Sequence, residues 1–185
     1  MKTILVCNQK GGVGKSLVAD EIAFSFERSG IPVSFYDLDA QGGTLHRTQE
    51  ADGAQVAVVD TPGALQEALS EWLKEADVVV IPTRTTSRDI EPLMRMRKAV
   101  FKHSRAKIVY VMNGWNRFKA SRDFMEWFGG LAGDQTVVTL PQSEAFVQAG
   151  AAGVSVDEFD RRGKAARATR ALVDTVREVA GFPRE

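Results

Sequence analysis

Cysteine is almost missing from these 185 residues: Cys7 stands alone. The chain therefore cannot build an internal disulfide, a multi-thiolate zinc site or an iron–sulfur site from its own residues. As an apolar residue ending a strand pattern, Cys7 reads as core rather than nucleophile. Histidine is nearly as scarce, and His46 and His103 lie too far apart in sequence for ligand spacing, so both read as surface or packing residues. No apolar run reaches bilayer length, Val78 to Ile81 being typical, and the N-terminus lacks a charged-then-apolar leader with a cleavage site. A cytoplasmic location is the expectation. Net charge is absent as well, with 24 basic and 24 acidic residues, so any nucleic-acid surface must be local. What remains, 44% apolar and 26% charged, is the composition of a soluble globule and excludes wholesale disorder. The length fits a single domain over 1–185.

Short β-branched runs alternate with helical patterns. Thr3 to Cys7, Val33 to Tyr36, Val56 to Val59, Val78 to Ile81, Lys107 to Met112 and Thr136 to Thr139 read as strands. Gly14 to Ser29, Leu65 to Glu75, Ile90 to His103, Ser121 to Leu131, Ser143 to Ala149 and Gly163 to Ala180 read as helices. Most of the strands are apolar throughout, which predicts burial on both faces and a mostly parallel, twisted α/β sheet with helices on both sides. In such a sheet the loops leaving the strand C-termini share one edge, where ligands bind.

The chemistry-bearing residues fall on that edge. Asn8-Gln-Lys10-Gly11-Gly12-Val13-Gly14-Lys15-Ser16 follows the first strand and opens the first helix, the context of a phosphate-binding P-loop. Glycines let successive N–H groups face an anion, and the helix N-terminus adds partial positive charge. Lys15 would reach the β/γ-phosphates and Ser16 would coordinate Mg²⁺. Gln9 stands where the strict pattern has glycine, and Lys10 adds a second cation. Asp37-Leu-Asp39-Ala-Gln41-Gly42 ends the second strand and Asp60-Thr-Pro-Gly63 the third. Carboxylates there can hold Mg²⁺ or its waters, or orient the water that attacks a phosphate. Any one of them alone would be as easily read as a turn former.

Together these segments resemble the deviant Walker A, A′ and B motifs of the ParA/MinD ATPases, in order and spacing. The stretch Glu144 to Phe159 and the helix from Lys164 resemble the C-terminal part of ParA-type partition proteins. The resemblance implies a P-loop NTPase fold and an ATP- and Mg²⁺-dependent ATPase. It implies a homodimer that sandwiches two ATP molecules, with Lys10 reaching the partner's nucleotide. It carries over Gly11, Gly12, Val13, Gly14, Lys15, Ser16 and Leu17 as nucleotide-binding residues, with Asn113 and Pro141 bordering the adenine. Asp39 would position water, and Ser16, Asp37, Asp39 and Asp60 would act around Mg²⁺. A ParB-like or adaptor partner would stimulate hydrolysis. Ala40 departs from the family's usual proline. Only 18 residues separate Gln41 from Asp60, and no helix-turn-helix precedes the P-loop, so autoregulation by operator binding is not expected.

Neutrality hides a polarised chain. Residues 84–122 hold 11 basic and two acidic residues, a local charge of +9, and residues 161–185 carry +4. At about 100° per residue, Arg167, Arg170 and Arg177 share one sector of the last helix, near Lys164, while Leu172, Val173 and Val176 face away. Lys164, Arg167, Arg170 and Arg177 are the expected contacts to nonspecific DNA, through phosphates rather than bases, and the protein would be nucleoid-associated. The same cations would also suit a merely solvated face. The chain's end, Gly181-Phe-Pro-Arg-Glu185, lacks the bulky apolar face of a membrane-binding helix, so no membrane partner is expected. Two alternatives use the same motifs: an ATPase that positions a protein assembly, and an ATP-dependent metabolic ligase. The ligase would need a second small-molecule pocket, and no acid/base constellation for one is evident.

Overall fold

The six expected strands form: the first begins and ends one residue earlier than expected, and the other five run on at their C-terminal ends. They are β1 (Lys2–Val6), β2 (Val33–Asp37), β3 (Val56–Asp60), β4 (Val78–Arg84), β5 (Lys107–Trp115) and β6 (Thr136–Pro141). In this computed structural model, which describes residues 1–39, 42–63 and 67–185, all six are parallel, in the order β2-β3-β1-β4-β5-β6. Ala40 and Gln41 of the second motif, and Leu65 where a helix was expected to begin, lie outside the described residues.

The helices are α1 (Lys15–Arg28), α2 (Glu67–Glu75), α3 (Ser87–His103), α4 (Lys119–Ala132), α5 (Ala145–Ala152), α6 (Val156–Phe159) and α7 (Lys164–Ala180). The lack of polar alternation in the strands has the expected cause. Ile4, Val6, Val58, Val80 and Val111 point into a core shared with α1 and α7. Leu5, Val59, Val79, Ile81 and Met112 point into a second core under α2, α3 and α4. Each face removes a β-branched or long side chain from water at every second residue, stabilising the sheet by about 1.5–3 kcal/mol for each fully buried side chain.

α6 was not anticipated. Four residues are too few for a periodic signal, and what forms this turn is a long-range contact. Buried Glu21 of α1 accepts the Ser155 hydroxyl at 2.6 Å and the Val156 N–H at 2.8 Å. Ser155 in turn caps the Asp157 N–H at 3.1 Å.

β1 lies at the centre, with β3 on one side and β4 on the other. Chain direction across the sheet reverses there, which leaves an open crevice beyond the C-terminal end of β1. The loop carrying Lys10 to Gly14 occupies that position.

Candidate nucleotide site

Two glycines set the path of the loop. Gly12 and Gly14 adopt φ of 71° and 95°, a left-handed region that side-chain-bearing residues enter only with strain. A Cβ on Gly14 would also lie 2.1 Å from Asn113 Nδ2. That amide nitrogen donates to Val13 O at 2.8 Å, so Asn113 at the end of β5 clips the loop to the sheet. Asn8, buried, ties the other end: its Nδ2 donates to Pro82 O at 2.7 Å and its Oδ1 accepts the Lys10 N–H at 3.1 Å. Arg95 of α3 donates to Gln9 Oε1 at 3.0 Å, so the residue in the place of the usual glycine is used to anchor the loop. Gly14 stands at the N-cap of α1, which has no side-chain cap hydrogen bond and no acidic residue in its first turn. Its leading N–H groups and partial positive charge suit an anion.

Lys15 is 7% exposed, and its ammonium lies back over the loop, donating to Lys10 O at 3.3 Å. Ser16 Oγ donates to Asp60 Oδ2 at 2.7 Å. Asp60 is 1% exposed and its Oδ1 has no hydrogen-bond partner. Burial pushes this carboxyl up to about 6, against the pull of the Ser16 hydrogen bond and Lys15. A buried carboxylate with an orphaned oxygen beside a serine hydroxyl fits a hard divalent cation that takes its other ligands from phosphate and water. Among the described residues there is no group of three or more His, Cys, Asp or Glu able to hold a metal unaided. The donor set therefore suits Mg²⁺ brought with a nucleotide.

Asp37 is paired in register with Asp60 on the neighbouring strand. Its Oδ1 accepts the Asp39 N–H at 2.9 Å and its Oδ2 the Thr44 hydroxyl at 2.7 Å, so Asp37 organises the turn that carries Asp39. Gly63, closing the third motif, packs on the loop so closely that a Cβ there would lie 3.2 Å from Gly11 N. The three motifs thus converge on one point.

Lys10 does not extend outward. Its Nζ pairs with Asp89 Oδ1 at 2.7 Å and lies 3.4 Å from Arg88 O. Asp89 is 1% exposed and also takes the Thr86 hydroxyl. Pro92, four residues beyond Arg88, has no N–H to offer that carbonyl, which leaves it open to the lysine. Asp89 was visible in the sequence only as one of two acids in a basic stretch.

The remaining sequence candidates divide. Leu17 is half-buried and lines a cavity of about 370 Å³ with Gly43, Leu45 and Phe146. Pro141 ends β6 beside Trp115, one strand beyond Asn113. Asn113 donates one of its two amide hydrogens to the loop, which leaves the other and the carbonyl oxygen free of that bond. Cys7 is fully buried with its thiol pushed up to about 12 by burial, as a packing residue should be.

On α7, Lys164 and Arg167 are exposed, whereas Arg170 is half-buried and bound to Asp157 and Arg161 O. Arg177 is a correction: it is 2% exposed and cannot meet DNA. The sector shared by the three arginines is real, but its far end is covered by the C-terminus of α1. The Arg177 guanidinium donates to Ser25 O at 2.8 Å, Ser29 Oγ at 2.7 Å and Pro183 O at 2.8 Å, over the Phe26 ring. Arg177→Met is expected to destabilise the protein by about 2–3 kcal/mol, by stranding those oxygens, with DNA retention below the melting temperature unchanged. Urea denaturation beside a DNA-binding titration checks both halves. Arg161 and Arg162, passed over in the sequence, are exposed on the turn before α7 and, with Lys164 and Arg167, make the cationic surface that this end presents.

Comparisons with known proteins bear on family and fold. The model of the CobQ/CobB/MinD/ParA nucleotide-binding domain matches residues 4–156. Protein IncC of Escherichia coli is 42% identical over 50 residues, covering 27% of this chain and 14% of that protein. Protein ParA of Rhizobium radiobacter is 27% identical over 115 residues, covering 48% of this chain and 51% of that protein. The chain thus spans about half or less of these curated relatives. Among solved structures, an ATP complex of a Cyanothece McdA variant superposes with a TM-score of 0.80 at 14% identity, over 100% of this chain and 98% of that one. A plasmid partition protein from Borrelia burgdorferi gives 0.72 at 14% identity, over 96% and 98%. At these identities the likeness is one of fold.

Proposed function

Because this chain belongs to the CobQ/CobB/MinD/ParA nucleotide-binding family, we propose that it is a partition ATPase whose ATP-bound dimer holds nonspecific DNA and lets go on hydrolysis. The observation that carries this reading is the presence, in one loop, of a buried lysine, Lys15, folded over the loop backbone, and a second lysine, Lys10, parked at the rim on Asp89. One cation serves the chain's own nucleotide. The other is positioned to exchange an internal partner for an external one.

In this cycle the loop N–H groups and Lys15 bind the phosphates, while Ser16 and Asp60 would hold Mg²⁺ and Asp37 would sit beside it. When bound, that ion neutralises charge developing on the transferred phosphoryl group. Asp39, on the turn ordered by Asp37, orients the attacking water. Lys10 leaves Asp89 and crosses to the nucleotide of a second copy, so dimerisation requires triphosphate. Pairing doubles the cationic surface of Arg161, Arg162, Lys164 and Arg167. Phosphate contacts of this kind add up without reading sequence and weaken with salt. A partner carried by the cargo stimulates hydrolysis, and released subunits rebind elsewhere on the nucleoid. No helix among the described residues is long and apolar enough to cross a membrane.

Nucleotide can drive the cycle only if DNA affinity differs between the nucleotide states. Retention on a random duplex is therefore expected to be strong with ATP or a non-hydrolysable analogue, and weak with ADP or no nucleotide. Equal retention in all three would remove the mechanism.

A further inference from the structure

Residues 42–48 form neither helix nor strand, and Gln49 then makes an isolated bridge with Phe35 of the edge strand β2. They are nevertheless fixed at two places. Near the site, the Thr44 hydroxyl donates to Asp37 Oδ2 at 2.7 Å, and Gly43 lies so close to Ser16 that a Cβ would be 3.3 Å from its hydroxyl oxygen. One helical turn farther along α1, buried Asp20 takes three hydrogen bonds from the same segment. These come from Leu45 N–H at 2.8 Å, His46 N–H at 3.0 Å and His46 Nδ1 at 2.7 Å.

His46 closes the arrangement. Its other ring nitrogen lies 3.3 Å from Glu27 Oε2, two turns from Asp20 on the same face of α1. The ring itself is stacked on Phe35 and tilted against Phe24, at 5.0 and 4.3 Å between centroids. Its side chain is 7% exposed. With a carboxylate oxygen at each nitrogen, the ring suits the doubly protonated cation, which donates at both. Burial opposes that charge, but the hydrogen bond and attraction of Asp20, and then those of Glu27, outweigh it and raise the His46 pKa above its ordinary value.

We infer that Asp20 and His46 are positioning residues of the nucleotide site: they strap segment 43–46 along α1 and thereby hold Asp37 and the Asp39 turn against Ser16. The inference rests on the ATPase reading above. Neither residue touches phosphate or metal ligands by side chain. Their action passes through Thr44 and Gly43, which do meet the Asp37 and Ser16 side chains. The sequence offered no sign of this, because a histidine 26 positions from its aspartate has no recognisable spacing.

The test compares wild type with His46→Gln, which keeps a hydrogen-bonding side chain without the cation, and Asp20→Asn, which keeps the shape without the charge. Two readouts are needed. In nucleotide-free protein, trypsin cleavage after exposed Arg47 reports opening of the strap and is expected to rise about tenfold in both variants. In steady-state hydrolysis, kcat is expected to fall about 10–100-fold, the usual scale for disturbing a supporting shell, with KM for ATP within about twofold. Variants cleaved and hydrolysing as wild type does would overturn the inference. So would faster cleavage with an unchanged kcat measured below the melting temperature, since the strap would then serve stability alone. If the wild-type protein itself fails to hydrolyse ATP, the ATPase reading falls instead, and the cleavage rates still report whether the strap exists.

Discussion

Lys15→Gln is expected to weaken ATP binding by about a hundredfold, about 3 kcal/mol, while leaving the free protein as stable as before. The two effects separate because of what the lysine does in each state. Without nucleotide, a nearly buried ammonium has one backbone oxygen at 3.3 Å and the attraction of Asp60, a return that only partly offsets its desolvation. Glutamine keeps a donor for that oxygen and carries no charge to bury, so stability should move by no more than about 0.5 kcal/mol. With a triphosphate in place, the same ammonium would face several negative charges where water is largely excluded, and nothing in glutamine replaces that. A fluorescent-nucleotide titration and a urea melt on the same samples check both halves. Equal losses in the two would make Lys15 a structural cation and take the phosphate from its assigned place.

How far the sequence carries such an argument depends on whether the physical cause is local. The sheet was legible because burial on both faces leaves a composition signature in each strand separately: Val78 to Ile81 must be covered on two sides wherever they lie. The loop from Lys10 to Ser16 was legible because glycine spacing and a following helix are properties of one short segment. Arg177 shows the limit. Helical periodicity placed it correctly beside Arg167 and Arg170, but whether that sector meets water depends on where α1 ends, far earlier in the chain. α6 failed for the same reason, since its turn is organised by Glu21 across the fold. Asp89, Thr44, Asp20 and His46 make the lesson sharper. Each pairs with a residue outside its own local pattern, and an acid next to a basic stretch, or a lone histidine, looks the same in sequence whether it is solvated or clamped. What the sequence reading missed around this site is the second layer, the residues that hold the recognisable ones in place.

That second layer leads to the largest expected effect on assembly. Lys10→Ala should leave monomeric ATP binding near wild type but weaken the ATP-dependent dimer by at least about a hundredfold, the scale of truncating a central charged side chain in an interface. Asp89→Asn should act in the opposite direction. In the single chain the Lys10 ammonium is half-covered while its partner carboxylate is 1% exposed, so drawing the lysine across to another subunit strands Asp89. Left with no cation, a buried carboxylate of this kind costs about 3–5 kcal/mol, less what Thr86 and the N-terminal turn of α3 return. Asparagine has no charge to strand. The competition for Lys10 weakens, and the dimer formed with a non-hydrolysable ATP analogue should assemble at about tenfold lower protein concentration, a gain of about 1.4 kcal/mol out of the larger gross term. Sedimentation of the three proteins over a concentration series measures the ordering: Asp89→Asn tightest, wild type between, Lys10→Ala weakest. If Asp89→Asn instead falls beside Lys10→Ala, the carboxylate is a receiver of lysine inside the dimer rather than its holder outside it. The cost of releasing Lys10 would then contribute nothing to keeping the nucleotide-free chains apart.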